Sequence, residues 1–375
     1  MKLKFNFMDF DLFEVARNNC FSLLNIALDN LTIYNFEINS FDPKGYTLLH
    51  YAAEYGNLET VEKLLALKAF PDILNSKRQT PLHLACLNNH TGIVKLLLQH
   101  NANVNAKDAI GETPAIMATN LELFRTLVKN GADIFQKSKL KKTALHAACE
   151  KGLKAFVEHL ISAGSDVNAV TVEGESPLML AIKNAHLDVV KYLLKCESVN
   201  YHQVDYDGQN LIHFAVQQDT KEEILKELLT LDLNINQRDP DGLSPLHIAS
   251  SNNNTKMIKL LIQNGADIHI KDHDGYTALH IAADHEVNAE AVETLVELGA
   301  DVNAKTCHGD LPFHRACASG SEKGIMVLFS KGVLQVRNKY GYTPLMVAEE
   351  CSRVNVRSLL KSLEGGRKKR VSFSR

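Results

Sequence analysis

The sequence predicts an all-α dominated solenoid of about ten repeated units, each a hairpin followed by two antiparallel helices, after a degenerate first unit. Three observations lead to this fold class. A motif close to Thr-Pro-Leu-His-x-Ala recurs along the 375 residues. Its copies at His50 and His83, and at His247 and His280, are 33 residues apart. Prolines and glycines occupy fixed places in this period, and a fixed period of this length is typical of a solenoid.

The motif begins the first helix of each unit. In Ser244–Ala249 the Ser244 hydroxyl can accept a hydrogen bond from an unpaired N–H group of the first turn. Pro245 follows at a position where the backbone N–H would have no helical partner, so proline is tolerated there. The next residues, Leu246 and the small Ala249, are expected to face a neighbouring helix. The prolines that share this place are Pro81, Pro114, Pro177, Pro245, Pro312 and Pro344.

A second apolar run, such as Ile93–Leu98, predicts the second helix of the unit. A glycine suited to a left-handed cap follows this helix in many units. These glycines are Gly131, Gly164, Gly265, Gly299 and Gly332. A hairpin turn with a glycine then leads to the next unit. In the second and fourth units Arg78 and Lys141 replace the turn glycine, so these hairpins either hold a non-glycine residue at positive φ or take another shape.

Three segments follow from this pattern. Residues 1–40 are predicted to form a degenerate N-terminal capping repeat, because a solenoid needs an atypical end unit. Residues 41–364 are predicted to form the repeat array. Its third unit is short, at 30 residues from Thr113 to Thr143, and has Ile116 where histidine is usual. Residues 365–375 are predicted to be a flexible basic tail, since two glycines and a run of basic residues do not continue the apolar pattern.

The motif and its 33-residue period resemble the ankyrin repeat, over nearly the whole chain. This resemblance implies a non-enzymatic protein–protein interaction scaffold or adaptor. It also implies that another protein, of unknown identity, binds the hairpin tips and the concave helix face. The motif histidines would then hydrogen-bond their own hairpins. They are His50, His83, His146, His213, His247, His280 and His314.

Tyrosines occur at the positions that vary around the turn glycine and just after the motif alanines. Tyrosine offers large contact area and is enriched in binding hot spots, so these residues are candidate partner contacts. Alternatively the rings only cover their own hairpins. The candidates are Tyr46, Tyr55, Tyr206, Tyr276, Tyr340 and Tyr342.

Charge is segregated among the predicted hairpins. The early hairpins are basic, with Lys77, Arg78, Lys139 and Lys141 as candidate partner contacts, and the later ones carry additional aspartates. Such polarity either orients a partner or is plain solvated charge.

The segment Lys369–Phe373 resembles the Arg-Val-x-Phe docking peptide of regulatory subunits of type-1 protein phosphatase. The resemblance implies that Arg370, Val371 and Phe373 could dock this phosphatase. Ser372 also resembles a basophilic kinase site, which makes it a candidate phosphorylation site. The remaining alternatives are a nuclear-import cluster at Arg367–Arg370 and a solubilising tail.

Several classes of function are disfavoured. The net charge of −3 does not predict nucleic-acid binding. No apolar segment approaches a membrane span, so we expect a cytoplasmic, monomeric protein without membrane insertion. Nuclear import, or delivery of a bacterial effector into a host cell, are the alternative locations.

No catalytic, metal-binding or cofactor-binding residue is predicted. The motif histidines are separated by whole repeats and cannot converge on one ion. The sequence contains no phosphate-binding loop and no dinucleotide-binding glycine motif. The seven cysteines have no metal-ligand spacing. Cys86, Cys149 and Cys317 are predicted to be small buried residues of a protein in a reducing compartment.

Overall fold

The computed structural model describes residues 11–30, 36–218, 221–331 and 336–372, with the backbone alone for 364–372. It contains two compact units, Met1–Val199 and Asn200–Arg375. Across the described ranges the chain forms 22 helices and no β-strand. The helices come in consecutive pairs, which confirms the predicted helical solenoid of about ten units after a first helix pair.

In the first unit each pair is joined by a short turn, and the first helices of successive pairs pack on one another: α1 on α3, α3 on α5, α5 on α7, α7 on α9 and α9 on α11. Leu82 and Ala85 of the second motif are fully buried in this stack, as the pattern predicts. The helices of this unit are α1 Leu12–Arg17, α2 Phe21–Leu28, α3 Leu48–Tyr55, α4 Leu58–Ala66, α5 Pro81–Leu87, α6 Thr91–Gln99, α7 Pro114–Met117, α8 Leu121–Lys129, α9 Ala144–Glu150, α10 Lys154–Ser162, α11 Pro177–Lys183 and α12 Leu187–Leu193.

The second unit repeats the arrangement, with α13 on α15, α15 on α17, α17 on α19 and α19 on α21. Its helices are α13 Leu211–Ala215, α14 Glu222–Leu228, α15 Pro245–Ser251, α16 Thr255–Gln263, α17 Ala278–Ala283, α18 Ala289–Glu297, α19 Pro312–Ser319, α20 Glu322–Ser330, α21 Pro344–Glu350 and α22 Val354–Ser372. The backbone of α22 differs from the sequence expectation, because it stays helical beyond Leu363 through Gly365 and Gly366. Flexibility of residues 365–375 stays a prediction.

The backbone conformation shows how the hairpins form in the two repeats where another residue replaces the turn glycine. Arg78 and Lys141 have φ of +58° and +56°, in the region that glycine normally occupies. Both hairpins nevertheless keep the common turn, since Asn75 N–H donates to Gln79 O at 3.0 Å and Ser138 N–H donates to Lys142 O at 2.9 Å. The helix-capping glycines also have positive φ at Gly131, Gly164, Gly265 and Gly299. Gly332 lies outside the described residues.

The third repeat has an incomplete first helix. Helix α7 contains four residues, whereas α5 and α9 on either side contain seven. It ends at Met117, and the ψ of 137° at the capping residue Ala118 turns the backbone out of the helix toward α8. The missing turn accounts for the 30-residue length of this repeat and leaves space beside α5 and α9.

Candidate partner-binding surface

Each hairpin turn consists of five residues, Asp42–Tyr46 in the first repeat, and we call these five residues the tip. The N–H of the first tip residue donates to the carbonyl of the fifth in all ten repeats, at 2.8–3.1 Å. A side-chain oxygen of the first residue accepts further N–H groups, as Asp108 Oδ1 does from Ile110 and Glu112 at 3.0 and 2.8 Å. The tips therefore share one backbone, and only their side chains differ.

Neighbouring tips are joined by backbone hydrogen bonds into rows. In the first unit Ala109 N–H donates to Lys77 O at 2.9 Å, and Lys139 N–H donates to Ile110 O at 2.8 Å. Val172 N–H continues the row to Leu140 O at 3.0 Å. The second unit contains the same bond at three successive tips, from His273, Cys307 and Lys339. Side chains on these tips are thus held side by side on a connected backbone.

In seven of the ten repeats a motif histidine bonds the start of its own helix and the chain that follows. Every Nδ1 lies 3.0–3.2 Å from the N–H of its own helix-capping residue. Because a backbone N–H can only donate, Nδ1 accepts and the ring proton resides on Nε2. In six of the seven, Nε2 then donates to the carbonyl oxygen of the fifth tip residue of the following repeat, at 3.0–3.4 Å. His146 Nε2 donates instead to Ala169 O, two residues before the next tip, at 3.1 Å. The expectation that these histidines bond only their own hairpin is therefore incomplete.

Burial holds these histidines in the neutral form. Desolvation lowers the pKa of His50, His146 and His280 to about 4, although carbonyl hydrogen bonds oppose the shift. The pKa of the others is lowered for the same reason; they are His83, His213, His247 and His314. Within the described part of the chain, no group of three His, Cys, Asp or Glu side chains is placed to hold a metal ion. Both bonds of each ring are structural.

A tyrosine cluster lies at the first repeat, and it includes one residue that the sequence did not indicate. Tyr46 and Tyr55 flank Tyr51, with ring centroids 5.1 and 6.5 Å from it. Tyr51 is buried, and its hydroxyl donates to Asp42 Oδ2 at 2.7 Å. Tyr55 donates to the backbone oxygen of Arg17 at 3.2 Å. These rings pack locally, yet Tyr46, Tyr55 and Lys77 also line one open depression of about 500 Å³.

The candidate cations of the early tips are available to a partner. Lys77, Arg78, Lys139 and Lys141 are exposed, and none of them has an ion pair with a carboxylate among the described residues. Lys139 Nζ donates instead to the backbone oxygen of Ala109 at 2.8 Å. The structure brings these four side chains onto one row of tips, as their spacing suggests.

Apolar residues on the same row were missed by the sequence reasoning, which looked only for tyrosines and charges. Ile110 and Leu140 are 45% and 44% exposed although their backbones are hydrogen-bonded to neighbouring tips. The sequence could have indicated these two residues, because both occupy the third tip position, where Asp or Lys is common in this chain.

The candidate tyrosines of the second unit lie in different surroundings. Tyr206 and Tyr340 are largely exposed, and the Tyr340 hydroxyl lies 3.0 Å from His308 Nδ1. Tyr342 is exposed at the edge of the last tip. Tyr276 is half-buried beneath Arg315, whose guanidinium carbon lies 5.5 Å from the ring centroid. Some of the candidate tyrosines are thus exposed to a partner and others pack against their own surroundings, with local packing strongest at Tyr276.

The structure describes little of the C-terminal motif. The backbone of Arg370, Val371 and Ser372 belongs to α22, their side chains are not described, and Phe373 lies outside the described residues. None of the helices in the described ranges is long and apolar enough to cross a membrane.

Comparisons with known proteins identify the repeat. A family model for ankyrin repeats matches three times, at residues 12–108, 113–205 and 212–306, which together exceed half of the chain. Similar proteins include human transient receptor potential cation channel subfamily A member 1, which is 25% identical over 85% of this chain and 33% of that protein. Mouse B-cell lymphoma 3 protein homolog is 31% identical over 46% of this chain and 41% of its own length.

A Rickettsia felis ankyrin repeat protein is 30% identical over 65% of this chain and 64% of its own length. This chain thus spans less than two thirds of the length of each of these relatives. Their names describe proteins of different kinds, so what they share with it is the repeat. The chain belongs to the ankyrin-repeat family.

Proposed function

We propose that this chain is a non-enzymatic binding protein that holds another protein against the hairpin tips and the first-helix face. One observation carries the proposal: the tip backbones are alike in all ten repeats and seven of the ten share the histidine link, whereas the exposed tip side chains differ. A uniform framework with variable exposed side chains is suited to recognition, because binding residues on a rigid scaffold need little reordering. Seven free cysteines, several buried, favour a reducing compartment such as the cytoplasm.

Site-specific photo-crosslinking tests where a partner lies. A benzophenone amino acid would replace Leu140 or Tyr206 on the tips, and Val128 or Met326 on the exposed faces of second helices. The full chain would be irradiated in an extract of its source cells, and the products would be separated by size and identified. We expect the same partner to be attached at a tip position and to be absent from both second-helix positions.

The matched positions make the result decisive. All four side chains are solvent-accessible, so non-specific association with other proteins would crosslink all four positions to a similar extent. Crosslinking restricted to Val128 or Met326, or equal labelling at all four positions, would contradict the proposal.

Docking of type-1 protein phosphatase through Arg370, Val371 and Phe373 is a second candidate function, supported by the sequence motif. An extended docking peptide adds a strand to a sheet edge, so the last turns of α22 would have to unfold. Phosphorylation of Ser372 would add about −1.5 to −2 charges between two apolar anchors and weaken docking.

Fluorescence anisotropy with purified phosphatase would compare the native chain, the phosphorylated chain and the double variant Val371→Ala with Phe373→Ala. Equal binding by the native chain and the double variant would contradict phosphatase docking through this motif.

A further inference from the structure

We propose that the surface above the third repeat is a docking site for an extended, acidic segment of a partner protein that carries an apolar side chain. This inference deepens the proposed function and rests on it. The site is a depression of about 400 Å³, which we call the third-repeat depression. Lys77, Leu87, Ile110, Met117, Lys142 and Lys151 are the lining residues that matter here.

The short helix α7 creates the depression. A first helix of ordinary length would continue past Met117 and cover the side of α5. Because α7 stops there, Leu87 at the end of α5 remains 47% exposed. Lys151 Nζ donates to Met117 O at 3.3 Å and so occupies one carbonyl of the truncated end. Leu87 and Ile110, each nearly half exposed, thereby present apolar surface in the depression, which suits an apolar anchor.

Positive charge surrounds this apolar surface. Lys77, Lys142 and Lys151 line the depression itself. A second depression, of about 580 Å³, lies at the same tips and is lined by Arg78, Lys107, Lys137 and Lys139.

The carboxylates nearby are largely engaged. Asp108 accepts two N–H groups of its own tip, and Glu150 is paired with Lys142. Burial raises the pKa of the Glu112 carboxyl, which Lys142 and Lys151 oppose by favouring its charged form. The surplus of unpaired cations is therefore complementary to a segment rich in aspartate and glutamate.

A protein segment fits this surface better than a nucleic acid. None of the residues lining the two depressions is aromatic, so there is no ring on which a base could stack. An extended peptide can place an apolar side chain beside Leu87 and Ile110 while its carboxylates contact the tip lysines.

A displayed library of random twelve-residue peptides tests the proposal with the full chain as bait. We expect selected peptides to be rich in Asp and Glu around an apolar residue. Their affinity, measured by fluorescence anisotropy, should fall at least about tenfold in Lys77→Glu with Lys139→Glu, since these lysines line the two depressions. It should fall similarly in Leu87→Glu, which places a carboxylate in the depression. Raising the salt concentration should also weaken binding, because the charges are exposed.

Two matched controls separate the site from general effects. Lys256→Glu with Lys259→Glu makes the same charge change on α16 of the second unit, where both lysines are exposed. Leu67→Glu changes an exposed leucine at the end of α4. Both should bind the peptides as the native chain does, and urea unfolding should show that all four variants are folded.

The proposal is overturned if the selected peptides are not acidic, or if they bind Leu87→Glu and the Lys77 and Lys139 variant unchanged. It is also overturned if a single-stranded RNA binds the same site more tightly than any peptide. Peptides or crosslinked partners that contact only the second-unit tips would refute this site and keep the proposed function. Crosslinking confined to second helices would refute both.

Discussion

The third repeat (residues 107–136) and the seventh (residues 238–270) begin with the same hairpin and then diverge. In the seventh, His247 Nδ1 accepts from Ser244 N–H, and its Nε2 donates to Tyr276 O of the next repeat, both at 3.1 Å. Helix α15 then runs for seven residues. In the third, Ile116 replaces the histidine, Thr113 Oγ1 is buried with no partner among the described residues, and α7 ends after four residues.

This difference shows what each part of the repeat contributes. The hairpin forms without the histidine, because Asp108 and Gly111 supply its turn geometry locally. Ile116 removes the link to the next repeat. The short helix has a separate cause, because Met179 replaces the histidine in the fifth repeat and α11 still runs for seven residues. The three residues by which the third repeat is shorter than 33 account for the short α7 and for the third-repeat depression beside it.

Acid should make the seventh repeat resemble the third, by protonating the motif histidines. Their folded pKa lies below the unfolded value near 6.5, so the unfolded chain binds more protons and stability falls as pH drops from about 6.5 toward 4. Each histidine with a folded pKa of about 4 should remove about 2 kcal/mol between pH 7 and pH 5. Urea unfolding followed by circular dichroism at the two pH values measures this loss.

The control for the acid effect is His247→Ala, which should lose less stability than the native chain over the same pH interval because it has one buried histidine fewer. An unchanged urea midpoint between pH 7 and pH 5 would contradict the assignment of these rings as neutral structural links.

Removing the link directly should also destabilise the seventh repeat. His247→Ala leaves Ser244 N–H without its partner and removes the bond to Tyr276 O, which keeps only the Asp272 N–H of its own tip. The substitution should cost about 1–3 kcal/mol of unfolding free energy. His273→Ala is the matched control, since His273 is an exposed histidine on the next tip and its loss should change stability by less than about 0.5 kcal/mol. Equal effects of the two substitutions would mean that the link contributes nothing.

Hydrogen exchange should reveal the weaker repeat in the native chain. Amides in 113–131 should exchange at least about tenfold faster than amides in 244–265, a difference of about 1.4 kcal/mol in opening free energy. The short α7 and the missing histidine link to the fourth repeat are the reasons. Mass spectrometry of peptic fragments measures both segments in one sample. Equal protection of the two segments would show that the third repeat is no less stable than the seventh.

The smallest effect is expected from Arg78→Gly, in the hairpin turn that the third and seventh repeats build with glycine. Gly111 and Gly242 have φ of +78° and +84°, whereas Arg78 of the second repeat has +58°. Arg78→Gly relieves a left-handed non-glycine residue and loosens the unfolded chain, so the net gain should be under about 1 kcal/mol.

Gly111→Ala provides the opposite change at the equivalent place. Its Cβ would lie 3.0 Å from the backbone nitrogen of Lys139, and the alanine would hold positive φ. Thermal unfolding should show a loss of about 1–2 kcal/mol. A stabilised Gly111→Ala, or an Arg78→Gly variant less stable by more than about 1 kcal/mol, would show that the hairpins are not equivalent.

The sequence by itself determined the features that depend on neighbours along the chain. The helix starts at Thr, Ser and Pro, the capping glycines and the hairpins depend on backbone conformation within a few residues. They could be predicted, as could the anomaly of the third repeat, from Ile116 and its 30-residue length. The early tip cations could also be placed together, because one row of tips follows from one period.

Only the tertiary structure decided what each side chain meets across repeats. It gave His247 a partner in Tyr276, buried Tyr51 against Asp42, and placed Arg315 over Tyr276. It also left Leu87 and Ile110 exposed around the depression. These partners are separated by 9 to 39 residues along the chain, so no local propensity specifies them. Their contacts arise from the stacking of whole repeats, and the direction of each side chain is fixed only when the neighbouring repeat is in place.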